Sequence, residues 1–205
     1  MTRWRNWMGV DVGGRRKGFD VALVEDRRLT ELRQRQSVDD VVAWAVSSEP
    51  SVIAIDSPRS CAAPGCTYRP EEKELREAVC GIRWTPPSVK LEGNPYYQWI
   101  VEGLRLYDGL RDHPARVIEC FPTASWTRWH GARNGRSRSA WTREALAALE
   151  LRGVPARTNQ DMRDAIAAAL TARDYERGRF QPFGEIVVPR SQPAHSTTGS
   201  RGYFG

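Results

Sequence analysis

Three short apolar runs in this chain each deliver an acidic residue at or near their C-terminal end. Asp11 follows Met8-Gly9-Val10, Asp56 follows Ile53-Ala54-Ile55, and Glu119 follows Val117-Ile118. Runs of this length and composition read as buried strands. A buried strand has little structural use for a carboxylate: an isolated buried charge is costly, and several converging ones repel one another. A chain with this pattern is therefore expected to gather its strand ends around a cation or a shared proton. Hard oxygen ligands point to Mg²⁺ or Mn²⁺. Asp161 and Asp164, three apart near a helix start, add carboxylates at neighbouring surface positions. Each acid also has a local explanation. Asp11 could cap its turn, Asp56 could bind backbone near Ser57-Pro58, Glu119 could pair with an arginine, and Asp161 could serve the helix N-terminus alone.

The rest of the chain supplies elements for such strands. Met8 to Asp11 and Phe19 to Glu25 read as a hairpin across a Gly-rich basic turn, with Phe19, Val21 and Leu23 on one face. Ser37 with Asp40 caps a helix whose inward stripe is Val38, Val41, Val42 and Ala45. Val52 to Asp56 is a strand, Glu71 to Val79 a helix, and Asn94-Pro95 opens another helix with Tyr97, Ile100, Val101 and Leu104 inward. Arg116 to Cys120 is a strand ended by Phe121-Pro122, followed by a long loop and a helix around Ala145 to Leu151. Thr158 to Asp161 reads as a capping box for an Ala-rich helix through Met162, Ile166, Ala169 and Leu170, and Ile186 to Val188 as a last strand. From Ser191 to Gly205 there is almost no aliphatic residue, and that tail is expected to stay disordered.

Asp11-Val12-Gly13-Gly14 with Gly18-Phe19 on a first hairpin, Ile53-Ala54-Ile55-Asp56-Ser57-Pro58, Glu119-Cys120-Phe121-Pro122 and Asp161-Met162-Arg163-Asp164-Ala165-Ile166 occur in an order that resembles a known family. It is domain-of-unknown-function family 429, regarded as predicted nucleases of the ribonuclease H-like superfamily. The likeness runs from about Met8 to Pro189. It implies an α/β fold over residues 1–190: a ribonuclease H-like mixed β-sheet flanked by α-helices. It places the superfamily's metal ligands on Asp11, Asp56 and Asp164. Asp161 matches a further position used in resolvase-like members, where histidine is common, and Glu119 matches the family's own strand-end glutamate. The implied activity is metal-dependent hydrolysis of phosphodiester bonds in DNA or RNA. Asp11 would bridge two ions, Asp56 and Asp164 would complete one each, and Glu119 would be an outer ligand.

Charge fits a polyanionic partner: 31 Lys and Arg against 25 Asp and Glu give a net charge of +6. Thr123 to Arg143 holds Arg128, Arg133, Arg136, Arg138 and Arg143, His130, three tryptophans and no acid. That mixture suits phosphate contact with base stacking, or else a solvated loop whose tryptophans anchor it to the core. Arg15, Arg16 and Lys17 lie beside Asp11 in sequence as further phosphate contacts, or as an exposed turn. No apolar run is long enough for a membrane span, no secretory h-region is present, and four cysteines are too few for a disulfide scaffold, so a cytoplasmic setting is expected. Cys61, Cys66 and Cys80 lack paired zinc-ligand spacing. Two rival functions remain at this point. An actin-like or sugar-kinase-type phosphotransferase would need a second Gly-containing phosphate loop, whereas Asp56 is followed by Ser57-Pro58. A non-catalytic nucleic-acid-binding module would have no use for the three aspartates.

Overall fold

The computed structural model describes residues 5–191, so the expected disordered tail lies outside the described residues except for Ser191. Seven strands form one sheet: β1 (Asn6–Val12), β2 (Phe19–Glu25), β3 (Arg28–Gln36), β4 (Val52–Asp56), β5 (Arg116–Cys120), β6 (Phe180–Phe183) and β7 (Ile186–Pro189). Their order across the sheet is β3-β2-β1-β4-β5-β7-β6. β1, β4, β5 and β7 run parallel, while β2, β3 and β6 are antiparallel to their neighbours. Among the described residues the α-helices are α1 (Val38–Ser48), α2 (Pro70–Ala78), α3 (Gln98–Gly109), α4 (Pro122–His130), α5 (Arg138–Ala148) and α6 (Gln160–Glu176). This is the expected ribonuclease H-like mixed sheet flanked by helices. Among the described residues no helix is long and apolar enough to cross a membrane.

Strand side chains alternate between two cores, as the pleat requires. Met8, Val10 and Val12 of β1, with Ile53 and Ile55 of β4, meet Val41 and Trp44 of α1 and Leu106 of α3. Trp7 of β1, Ala54 of β4, and Ile118 and Cys120 of β5 face the other way, onto α6 and then α4 and α5. α6 is buried without interruption from Arg163 to Ala172, because the sheet covers one side and α4 and α5 the other. Its alanines let the helix come close. A Cβ built on Gly9 would lie 2.0 Å from the Ala169 nitrogen and 2.2 Å from the Ala165 oxygen, so helix backbone rests directly on strand backbone there.

Several elements differ from the sequence reading. β3 is an edge strand in which only Leu29 is buried, so its charged residues carry no apolar period. β6 contains Pro182, which an edge strand tolerates. The long loop expected after Cys120 is largely α4: Pro122 starts this helix at a first-turn position, where its missing N–H is harmless. α5 begins at Arg138, capped by the Ser137 hydroxyl, well before Ala145. The α6 cap is Asn159, whose side chain accepts from Met162 N, while Thr158 instead accepts from Arg163. α3 buries Ile100, Gly103 and Leu106 and leaves Val101 and Leu104 only partly covered. The helix has rolled toward Gly103, where a Cβ would overlap the Ser57 side chain just beyond β4.

Gly9→Ala is expected to destabilise the protein by more than the ~1–3 kcal/mol typical of an overpacked core. Gly81→Ala, where a Cβ meets nothing within 4 Å, should be neutral in the same urea titration. Equal midpoints for the two variants would refute the close approach of α6.

Candidate functional site

Asp11 and Asp56 are direct partners in the parallel register of β1 and β4. Strands in register stand about 4.8 Å apart, so the two carboxylates are neighbours at the C-terminal edge of the sheet. The pleat sends both toward α6, the side that Gly9 and Ala54 also face. Because α6 lies against β1 at Gly9, its first turns pass over the same edge and bring Asp161 and Asp164 to the cluster. The four aspartates line one groove of about 990 Å³, together with Lys17 and Arg138.

Each carboxylate has a distinct environment. Asp164 accepts hydrogen bonds from Trp126 Nε1 at 3.0 Å and from Gln160 Nε2 at 3.0 Å to both oxygens, and pairs with Arg138 at 2.9 Å. Asp161 pairs with Lys17 Nζ at 2.8 Å, which ties the turn after β1 to the N-terminus of α6. The Asp11 and Asp56 carboxylates make no hydrogen bond or ion pair among the described residues. Burial, then the charges of Asp56, Asp164 and Asp161, holds the Asp11 carboxyl well above its usual range. Burial and Asp164 push Asp56 up to about 8. Burial also raises Asp164, against the opposing Arg138 charge and the Gln160 and Trp126 hydrogen bonds.

Two adjacent carboxylates with unshared oxygen lone pairs, each driven toward its protonated form by burial and then by the other acids, form a donor set that fits a hard divalent cation. Asp11 and Asp56 would hold it, with Asp164 available as a further ligand once Arg138 turns away. Among the described residues no three acidic, histidine or cysteine side chains converge on one cation position as they stand. Arg138 and Lys17 supply the compensating positive charge on the α6 side.

Glu119 also lines this groove, but its carboxylate is held differently. It pairs in register with Ile55, one position before Asp56, so the pleat points it to the opposite face. There both of its oxygens accept from Arg69, and one also accepts from the Arg59 backbone N–H. Arg69 in turn pairs with Glu72, which accepts from the backbone N–H and the hydroxyl of Thr85. Arg69, Glu72, Thr85 and Glu119 are all buried. The outer-ligand role expected for Glu119 thus meets a carboxylate already paired with arginine. On the acid face, its place in β5 is taken by Cys120, whose thiol is raised by burial and by Asp56, Glu119, Asp11 and Asp164.

The basic segment divides in the same way. Arg133 and Arg138 line the groove. Arg128 donates to Gln181 on β6, and Arg136 to Glu144 and the Ala132 and Arg133 carbonyls. Arg15 and Arg16 are exposed on the turn next to Lys17. Trp126 and Trp141 are buried and donate to Asp164 and the Gly131 carbonyl, and Trp129 packs edge-on against Trp126. Trp126 and Trp141 anchor the segment from within the core, with Trp129 half-buried against them. Sequence reasoning missed Arg163, which is 2% exposed and bonds Thr142 and Ser139 of α5 beside Asp164. An arginine directly before Asp164 and the alanine-rich run of a buried helix is the signal that could have found it.

The pH response of the cluster has a definite sign. A carboxyl raised on folding takes up a proton, so its contribution to stability falls as pH rises from the ordinary 3.8 to about 8 for Asp56. Without divalent ions, Asp56→Asn is expected to melt above wild type at pH 8 and level with it near pH 4. Mg²⁺ should raise the wild-type melting temperature at pH 8 more than that of the variant. Identical melting at pH 8 would remove the repulsion on which this reading stands.

The family model described as "Protein of unknown function (DUF429)" matches residues 9–187. No curated protein matches the chain. Among solved structures, RuvC of Thermus thermophilus in complex with a Holliday junction substrate aligns with a TM-score of 0.51 at 14% identity, over 85% of this chain and 96% of that one. A second Thermus thermophilus RuvC structure gives a TM-score of 0.49 at 13% identity, over 84% and 96%. The yeast mitochondrial Holliday junction resolvase Ydc2 gives 0.41 at 12%, over 79% and 75%.

Proposed function

Since the chain belongs to the DUF429 family, whose name assigns no activity, we propose from its own site that it is a divalent-metal-dependent nuclease hydrolysing phosphodiester bonds of DNA or RNA. The observation that carries this reading is the in-register pair Asp11 and Asp56 beneath Asp164, at the floor of a groove that Lys17, Arg133 and Arg138 also line. Asp11 and Asp56, with Asp164, would hold Mg²⁺ or Mn²⁺; a bound divalent ion would supply charge neutralisation and an activated water for attack on phosphorus. The protein's own contribution is positional. Trp126 and Gln160 fix the Asp164 carboxylate, Lys17 holds Asp161 beside the cluster, and the rim arginines orient the phosphate backbone. Phosphotransfer from a nucleotide is less well served. Ser57 and Pro58 after Asp56 are buried next to α3 and give no second glycine-rich phosphate loop. We place this activity in residues 1–190 and in the cytoplasm, a setting that suits four free cysteines.

The test is a panel of single strands, duplexes and four-way junctions of DNA and RNA, incubated with Mg²⁺ or Mn²⁺. The junction belongs in the panel because the aligned RuvC complex contains one. Asp11→Asn and Asp56→Asn should each reduce cleavage by more than the ~10–100-fold typical of an outer-shell change, with circular dichroism unchanged. Failure of the wild-type chain to cut any substrate would overturn the assignment. Arg133→Ala with Arg138→Ala should also flatten the salt dependence of binding, by about 0.7–0.9 in log–log slope for each phosphate no longer neutralised. Arg128→Ala with Arg136→Ala should leave it unchanged.

A further inference from the structure

The segment from Tyr68 to Tyr97 places four aromatic rings next to the groove, with Tyr96 exposed and Tyr68, Trp84 and Tyr97 half-buried. Tyr68 and Trp84 lie with ring centroids 5.0 Å apart, and the Arg76 guanidinium sits 4.9 Å from the Trp84 ring. Arg83 lies over Tyr96 at 6.0 Å, and Tyr97 meets Tyr96 edge-on at 5.0 Å. Among the described residues only three large apolar side chains are well exposed, and two of them, Val89 and Tyr96, are in this segment. Tyr96 is 60% exposed. Arg76 and Arg83 make no ion pair among the described residues, so their charges are available to a ligand. Arg83 lines the acid groove as well as covering Tyr96, which makes the aromatic rim continuous with the site.

The rim is held in place although residues 79–87 form no helix or strand. Thr85, next to Trp84, is fixed to Glu72, Glu72 to Arg69, and Arg69 to Glu119 at the end of β5. Ala62 and Pro87 add a backbone bridge. Burying two carboxylates and a guanidinium costs desolvation that only good geometry repays, and here that geometry sets the position of the aromatic segment relative to the sheet.

We propose that Trp84 and Tyr96, with Arg76 and Arg83, form a stacking shelf for unpaired bases of single-stranded nucleic acid, held against the sheet by the Glu119–Arg69–Glu72–Thr85 chain. The inference rests on the nuclease reading and adds which part of the substrate the protein grips. Aromatic faces accept any base, and unpaired arginines beside them contact the adjoining phosphates. A paired duplex presents no free base faces, so the shelf favours single strands, loops and strand ends. Glu119 is on this account a positioning residue.

The experiment is a fluorescence-anisotropy titration in Ca²⁺ of two short labelled single strands, one intact and one with an abasic site in each register position. Wild type should bind the intact strand about tenfold or more tighter than the abasic one, the scale of one stacked base. Tyr96→Ala and Trp84→Leu should erase that ratio, and Trp84→Phe should retain most of it. Because Tyr96 is exposed, its variant keeps the test valid if Trp84→Leu does not fold. Glu119→Gln should reduce the ratio while leaving salt dependence unchanged. A wild-type ratio of one, or a ratio unchanged in Tyr96→Ala, overturns the shelf alone. No binding of either strand by wild type also overturns the shelf, while the nuclease reading falls only if the duplexes and junctions of the cleavage panel stay uncut as well.

Discussion

The acid cluster depends on how near α6 lies to β1. At Gly9 the strand has no side chain, and opposite it α6 offers Ala165 and Ala169, so the two backbones touch. One turn along, the same spacing sets Asp164 over Asp11 and Asp56. A larger residue at any of these positions would lift the helix start away from the strand ends. On the other face of the sheet Gly103 does the equivalent for α3 above Ser57, immediately after Asp56. The two strands that carry the acids are thus gripped from both sides at their ends, which fixes carboxylate positions that mutual repulsion would otherwise spread apart.

The sheet separates two different ways of keeping carboxylates out of water. On the α6 face, Asp11 and Asp56 are left without a hydrogen-bonding partner among the described residues and respond by favouring the protonated form. On the opposite face, Glu119 and Glu72 close around Arg69 and Thr85, with every strong acceptor used. The first arrangement is reactive toward cations because it is incomplete. The second is inert and sets a position. A single residue of offset along β5 decides which of the two an acid joins.

That offset explains what the sequence can and cannot tell. Acids at strand ends mark Asp11 and Asp56, and the Ala-rich run marks the helix that brings Asp164, because burial leaves so few reasons for a carboxylate at those places. The same signal includes Glu119, since a strand-end acid looks alike from either side until the register between neighbouring strands is known. Cys120, one residue on, carries no charge to draw attention to it. Trp126 of α4 and Trp141 of α5 resemble stacking groups in sequence because composition does not report direction, and in the fold they are core. Trp84 and Tyr96 lie in a segment of balanced charge, where no composition signal separates a rim from a loop. β3 is invisible in sequence for a related reason: an edge strand packed by one leucine has no hydrophobic period to read.

The contact between α6 and β1 also fixes when the site can exist. Trp7 and Glu176, which join the two elements by a 2.7 Å hydrogen bond, are 169 positions apart in the chain. Nearly the whole polypeptide must be made before α6 can cover β1, and closing so long a loop is slow compared with forming the local β1–β2–β3 meander. Until then Asp11 and Asp56 sit on an open sheet face without the helix that carries Asp164. A chain interrupted before residue 160 would keep Asp11 and Asp56 without the helix geometry that makes them a site, so assembly of the centre reports completion of the fold.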